Sequence, residues 1–179
     1  MYPFVRIAWQ FYKHRNDPAL PMTGTHISQH YCLPWDLDPW NELNNGRTLT
    51  LYDLGRIPLS NRTGLVQILR TNKWGLTVAG SVVRYRRRVQ MFDKLVMKSR
   101  CITWDARFFY LEQSMWKTDG ECASHAVYRS AVVGTGGIVN PAEVIKQTTH
   151  TGPPPPMPDF IAKWIVAEDA RVWPPMPDA

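Results

Sequence analysis

Between Leu76 and Val133 the chain offers four segments in close succession, Leu76 to Arg88, Lys94 to Asp105, Ala106 to Lys117 and Glu121 to Val133, each rich in Val, Ile, Phe, Tyr, Trp and Thr. Such residues suit a pleated, half-buried surface. Short turn signals separate the segments: Met91-Phe92-Asp93, Trp104-Asp105 and Thr118-Asp119-Gly120. The pattern predicts an antiparallel meander, and Asp119-Gly120 is a good hairpin signal.

What precedes this stretch must pack on it. His26 to Leu33 reads as a strand of weak alternation, and Pro34 to Asn45 as a polar, turn-rich loop. Thr48 to Leu59 reads as a helix whose Leu49, Leu51, Tyr52, Leu54 and Ile57 put apolar groups almost all round it. A helix of that kind is expected to be buried on more than one side. Gly55 would let its backbone approach another element closely, and Pro58 should bend or end it. The order therefore predicts an α+β fold in which a single antiparallel sheet covers one long helix. Such a sheet leaves an edge or face open that a second copy would close.

The flanks read differently. Tyr2 to Tyr12 is expected as a short helix or apron, followed by a loop over Asn16 to Gly24. At the other end Asn140 is a strong helix N-cap, with Pro141 in the first helical position and Glu143 placed to complete a capping box. The exit loop before it, Gly134-Thr135-Gly136-Gly137, is glycine-rich without the spacing of a nucleotide fingerprint. Thr149 to Pro158, with four consecutive prolines from Pro153, reads as an extended arm. Asp159 is then expected to cap a last helix whose Phe160, Ile161, Trp164 and Ile165 must dock on the chain's own sheet or on a neighbouring subunit. The expected organisation is an N-terminal segment (1–25), a central domain (26–148) and a Pro-rich arm with the C-terminal helix (149–179).

Bulk properties narrow the function classes. The chain has 179 residues and a net charge of +6. The charge suits an anionic partner but is too small and scattered to imply nucleic acid. Three widely spaced cysteines, Cys32, Cys101 and Cys122, form neither a CxxC pair nor a zinc-spaced cluster. They read as reduced thiols of a cytoplasmic protein with no metal site. No apolar stretch is long enough to span a bilayer. Met1 to Arg15 lacks the parts of a signal peptide. It could lie on a membrane surface as an amphipathic helix, although packing on the protein's own surface is the preferred reading. There is no Gly-x-Ser-x-Gly elbow, HExxH or Walker motif.

The chemistry-bearing stretch is Trp35 to Arg56, WDLDPWNELNNGRTLTLYDLGR. Asp36 and Asp38 sit just before a helix start marked by Asn44, Asn45 and Gly46. A carboxylate beside free helix N-terminal amides, which can bind an oxyanion, can hydrolyse an acyl bond by direct attack or by deprotonating water. Taken alone, Asp and Asn before a helix are more often caps and turn formers.

The segment resembles the signature of hotdog-fold thioesterases of the 4-hydroxybenzoyl-CoA thioesterase type: Asp, two residues, Gly, His, an apolar residue, Asn-Asn, then a helix. Asp38 stands at the family's catalytic Asp. Leu43, Asn44 and Asn45 stand at apolar-Asn-Asn, and Arg47 matches a common arginine. Thr48 replaces the usual Tyr, Asn41 the usual Gly and Glu42 the usual His. The resemblance implies a hotdog fold, with a long central helix wrapped by an antiparallel sheet, and hydrolysis of an acyl-CoA thioester. Asp38 would be base or nucleophile, the Asn45 and Gly46 amides the oxyanion site, and Asn44 a brace of the Asp loop. Asn41 and Glu42 would line the pocket or orient water. Glu42 is also a second carboxylate whose proximity would favour Asp38 as a base. Asp36 reads as a turn residue.

Alternation along the Leu76–Arg88 strand puts Arg84, Arg86 and Arg88 on one face, where they could meet the phosphates of coenzyme A or form a solvated face. His125 and Tyr128 could reach a site but read better as structural. The expected assembly is a homodimer or homotetramer with sites at the subunit interface. Coenzyme A would enter only as part of the substrate, with no separate cofactor. A hotdog hydratase or dehydratase is one rival, weakened by the missing His. A non-catalytic acyl-thioester or lipid-binding protein is the other.

Overall fold

The computed structural model describes residues 2–175; Met1 and residues 176–179, the last of the expected C-terminal arm, lie outside the described residues. The sheet is formed by β1 (His26–Tyr31), β2 (Gly75–Tyr85), β3 (Lys94–Trp104), β4 (Phe109–Lys117), β5 (Cys122–Gly134) and the short β6 (Gly137–Val139). The order is β1-β3-β4-β5-β2, every pairing is antiparallel, and β6 adds to β5. Only β3, β4 and β5 form the expected meander. β2 pairs not with its successor but with β5, at the far edge. The stretch joining β2 to β3 is no tight hairpin: its end is pinned to the end of β1 by Phe92 N–H donating to Cys32 O and Cys32 N–H donating to Asp93 O.

Helix α2 (Asn45–Arg62) lies on one face of this sheet. Leu51, Tyr52 and Leu54 are wholly buried against sheet residues including Leu95, Met97 and Met115. Gly55 is where helix and sheet meet most closely: a Cβ there would stand 2.6 Å from both Met97 Sδ and Ser99 Oγ. Of the two outcomes expected of Pro58, to bend or to end the helix, the second does not occur: the helix runs another turn. Pro58 is buried with Leu59 beside it, so packing offsets the roughly 3 kcal/mol that an interior proline costs.

A helix the sequence did not announce, α3 (Leu65–Asn72), follows at once, burying Leu65 and Ile68. The glycine-rich exit from β5 is a tight hairpin, with Gly134 opposite Gly137 and Gly137 at φ +104. Helix α4 (Pro141–Ile145) is a single turn whose Asn140 side chain accepts from Ala142 N–H.

The other face of the sheet is partly covered by the C-terminal arm. Thr103 Oγ1 donates to Pro155 O at 2.7 Å. Helix α5 (Asp159–Asp169) sets a fully buried Ile161 among Phe108, Tyr110, Val127 and Ala131. Its apolar stripe thus docks on the chain's own sheet. Pro158, not Asp159, is the cap residue, Asp159 being the first helical residue. At the N-terminus, α1 (Phe4–Lys13) packs on α2 through Ile7 and Gln10.

Candidate active site at the start of the long helix

Asp36 organises the segment leading into α2. Its carboxylate is fully buried, accepts from Leu33 N–H, and is gripped at 2.7 Å by Arg6 Nη1 on one oxygen and by Arg47 Nη2 on the other. Its carbonyl accepts from Asn44 N–H. Asp36 is therefore more than a turn residue: buried charge persists only when paired and hydrogen-bonded, and this one ties α1, the loop and α2 together.

Residues 37–43 form a small hairpin closed by the Leu37–Leu43 bridge. Asp38 N–H donates to Glu42 O at 2.8 Å, and Asp38 Oδ1 accepts from the amides of Trp40 (2.9 Å) and Glu42 (3.2 Å). One carboxylate oxygen is thereby fixed, while no bond among the described residues engages Oδ2. Asn41 sits at the tip with φ +60, a left-handed conformation that glycine adopts freely and asparagine tolerates. The Gly-to-Asn departure thus preserves the turn. Asn41 is exposed and does not line the neighbouring cleft, which corrects its expected pocket role.

Asn44 is the N-cap of α2, its Oδ1 accepting from Gly46 N–H (2.9 Å) and Arg47 N–H (3.1 Å). It braces the helix start rather than substrate. The Gly46 amide is therefore occupied, which removes it from the expected oxyanion pair. The Asn45 amide, at the first helical position, lacks a partner among the described residues.

Asn45 opens onto a cleft of about 210 Å³, walled by Glu42, Thr48, Tyr85, Ser124 and the three arginines Arg86, Arg87 and Arg88. Tyr85 Oη donates to Asn45 O at 3.3 Å. Glu42 is held by Arg88 at 3.0 Å, and Asp38 lies on the opposite strand of its hairpin, outside the cleft wall. The arginines do not alternate as expected. β2 ends at Tyr85, and the amides of Arg86 and Arg87 both donate to Ala123 O. Past this irregularity Arg86, Arg87 and Arg88 all line the cleft, with the Arg87 side chain paired to Glu121 at 2.8 Å. Arg84 is left on the other face of the sheet, opposite His125, in a different groove with Val82 and Phe160. Thr48 is noted in the sequence only as standing at the family's usual Tyr and Tyr85 not at all; the fold places both beside Asn45.

Known proteins give this arrangement a context. Residues 32–165 match the model of the thioesterase-like superfamily. The chain belongs to that superfamily. Over 169 residues it is 27% identical to the protein THEM6 of Xenopus laevis, spanning 93% of this chain and 80% of the relative. It is 28% identical over 148 residues to THEM6 of Drosophila melanogaster, spanning 82% and 75%. Among solved structures, the probable thioesterase YbaW from Escherichia coli superposes with a TM-score of 0.64 at 17% identity, covering 70% of this chain and 99% of its own. The Staphylococcus aureus protein SAV2348, solved in complex with CoA, superposes with a TM-score of 0.61 at 11% identity, covering 78% and 93%. These two likenesses show the fold: a helix cradled by a curled antiparallel sheet, the hotdog architecture of the superfamily.

Other titratable groups of this thioesterase-like chain lie away from the cleft. His125 Nε2 bonds Glu112, which also takes Arg100, on the outer face of the sheet. Its two partners hold the Glu112 carboxyl below its ordinary pKa. Tyr128 is buried beside Tyr52 with the Arg56 guanidinium over its ring. His14, Asp17 and His26 bring ligand-type atoms within 4.8 Å of one another. However, Arg62 Nη1 stands 3.0 Å from His26 Nδ1 and 3.3 Å from Asp17. A fixed positive charge there disfavours a metal ion. Burial raises the Cys32 thiol to about 11 and Cys101 to about 12, so neither is a ready nucleophile.

Proposed function

We propose that this chain hydrolyses an acyl-CoA thioester to a free acid and coenzyme A. The observation that carries the reading is Asn45, whose amide at the N-terminus of α2 lacks a partner among the described residues, lining a cleft also walled by Arg86, Arg87 and Arg88. A helix N-terminal amide stabilises a developing oxyanion, and clustered arginines suit the phosphates of coenzyme A. Asp38, with one oxygen anchored and the other open, is the base. It takes a proton from water as the oxygen attacks the carbonyl carbon. Collapse of the tetrahedral intermediate breaks the C–S bond, and the departing thiolate receives that proton. Direct attack by Asp38 would use the same open oxygen and give an anhydride, which water then opens.

The cleft is smaller than the roughly 300–1,000 Å³ of ordinary ligand sites. β2, almost wholly exposed along its eleven residues, is an open sheet edge. Both features support a homodimer, or a tetramer built from it, whose subunits complete each other's sites. A second carboxylate merits comparison because Glu42, unlike Asp38, lines the cleft.

Thiol release from short, long and aromatic acyl-CoA esters tests the reading, with Asp38→Asn and Glu42→Gln run beside the native chain and the assembly checked by light scattering. Asp38→Asn is expected to lower kcat about a hundredfold or more, with fold and assembly intact. Loss confined to Glu42→Gln would move the base to the cleft wall. Binding without turnover on any ester would leave a thioester-binding protein.

A further inference from the structure

Helix α1 is packed the wrong way round for a helix bathed in water. Its inward face presents Arg6, Ile7 and Gln10, and Gln10 is buried with its Oε1 lacking a hydrogen-bond partner among the described residues. Its outward face is apolar: Phe4 is 72% exposed, Val5 84%, Trp9 58% and Tyr12 56%, with an exposed Ala8 between them. At 3.6 residues per turn these five positions share one side. Trp35, 66% exposed, shares an apolar groove with Phe4 and Val5, extending the patch beyond the helix.

We propose that this face of α1 seats the protein on an anionic lipid surface. The order of side chains along the helix identifies the occupant. Phe4 and Val5 lead, Trp9 and Tyr12 follow as a stacked pair 5.6 Å apart, and Lys13 and Arg15 close the series, with Arg15 lying over the Tyr12 ring at 3.9 Å. Hydrocarbon-seeking groups, then interface-seeking aromatics, then cations is the depth profile of a bilayer surface; a protein partner imposes no such order. Ten residues span about 15 Å, half of a hydrocarbon core. The helix therefore enters the interface obliquely, its Phe4 end deeper than its Lys13 end, and does not cross it, and none of the described helices is long and apolar enough to cross a membrane. The residues that bind lipid make no contact that the fold needs, whereas Arg6, on the opposite side, is locked to Asp36.

Co-sedimentation of the full chain with vesicles tests this, using phosphatidylcholine alone and phosphatidylcholine mixed with phosphatidylserine. The native chain should sediment with the mixed vesicles. Val5→Glu with Trp9→Glu should stay in the supernatant at lipid concentrations that saturate the native chain. Lys13→Gln with Arg15→Gln should weaken partitioning by about thirtyfold, each cation near an anionic surface contributing roughly fivefold. Circular dichroism and light scattering on each variant separate lost binding from lost fold. The proposal is overturned if the native chain ignores anionic vesicles or if the double glutamate variant sediments like the native chain. It is equally overturned if that variant changes the assembly mass while the native chain binds no lipid, since the face would then join copies of this chain.

Discussion

Acidification should unfold this protein earlier than its carboxylates alone would dictate. His26 and His30 point inward from β1 and are 0% and 4% exposed. Burial, followed by the charge of neighbours (His14 and Arg62 for His26, Arg6 for His30), pushes them down to about 4 and about 3. The geometry agrees. His26 Nδ1 faces Arg62 Nη1 at 3.0 Å and must accept, and His30 Nε2 bonds the buried Ser28 hydroxyl at 2.8 Å. Above the ordinary histidine value near 6.5 both rings are neutral, folded or unfolded, and cost nothing. As pH falls below it, the unfolded chain takes up protons that the folded chain refuses, so stability is lost with falling pH until the folded values are reached. Two protons give a slope of about 3 kcal/mol per pH unit and a loss of about 4 kcal/mol by about pH 5, a large part of the 5–15 kcal/mol typical of a domain. Urea unfolding followed by circular dichroism between about pH 7.5 and pH 5 measures the slope. His30→Gln, which can keep the bond to Ser28, should halve it. A transition midpoint that does not move over this range, or a slope unchanged in His30→Gln, would refute the assignment of these rings as neutral and buried.

Three further outcomes follow from the packing and the cleft. Gly55→Ala should cost about 1–3 kcal/mol in urea unfolding, because the new methyl meets Met97 and Ser99 at 2.6 Å in a core that must shift to admit it. Asp36→Asn should cost about 3–5 kcal/mol by the same assay, since it leaves the paired guanidinium of Arg6 without its counter-charge. Arg86→Ser and Arg88→Ser should raise KM for coenzyme A esters with little change in kcat. Because both arginines are exposed, the difference from the native chain should shrink as salt is added.

Much of the fold could be read from residue patterns because its signals are local. The strands β3, β4 and β5 carry their own turn residues, and the helix around Leu51, Tyr52 and Leu54 is too apolar to lie anywhere but in the core. β1 was harder to read because its inward positions are filled by His26, Ser28 and His30, so burial alternates along the strand while hydrophobicity does not. The place of β2 beside β5 depends on where an eight-residue connection runs, which composition does not encode. At the site, the Asp38 turn and the Asn44 cap were legible as a motif. The fate of the Gly46 amide was not, because a cap satisfies particular N–H groups that only the geometry names. The arginine run misled for a similar reason: period-two reasoning fails once two successive amides share the Ala123 carbonyl. For α1 the periodicity was present, but nothing in a sequence says which side of an amphipathic helix faces out.

The grip of Arg6 and Arg47 on Asp36 has a consequence for how such a chain can change over time. Once the loop's buried carboxylate takes a partner from α1 as well as Arg47 from α2, deleting that helix strips the Arg6 guanidinium from Asp36 Oδ2 and uncovers the loop, leaving Arg47 alone to hold the charge. The N-terminal segment becomes entrenched: the fold leaves its outer face free to vary, yet discarding the helix first or neutralising Asp36 first each breaks the buried pair, so a lineage must lose the two close together.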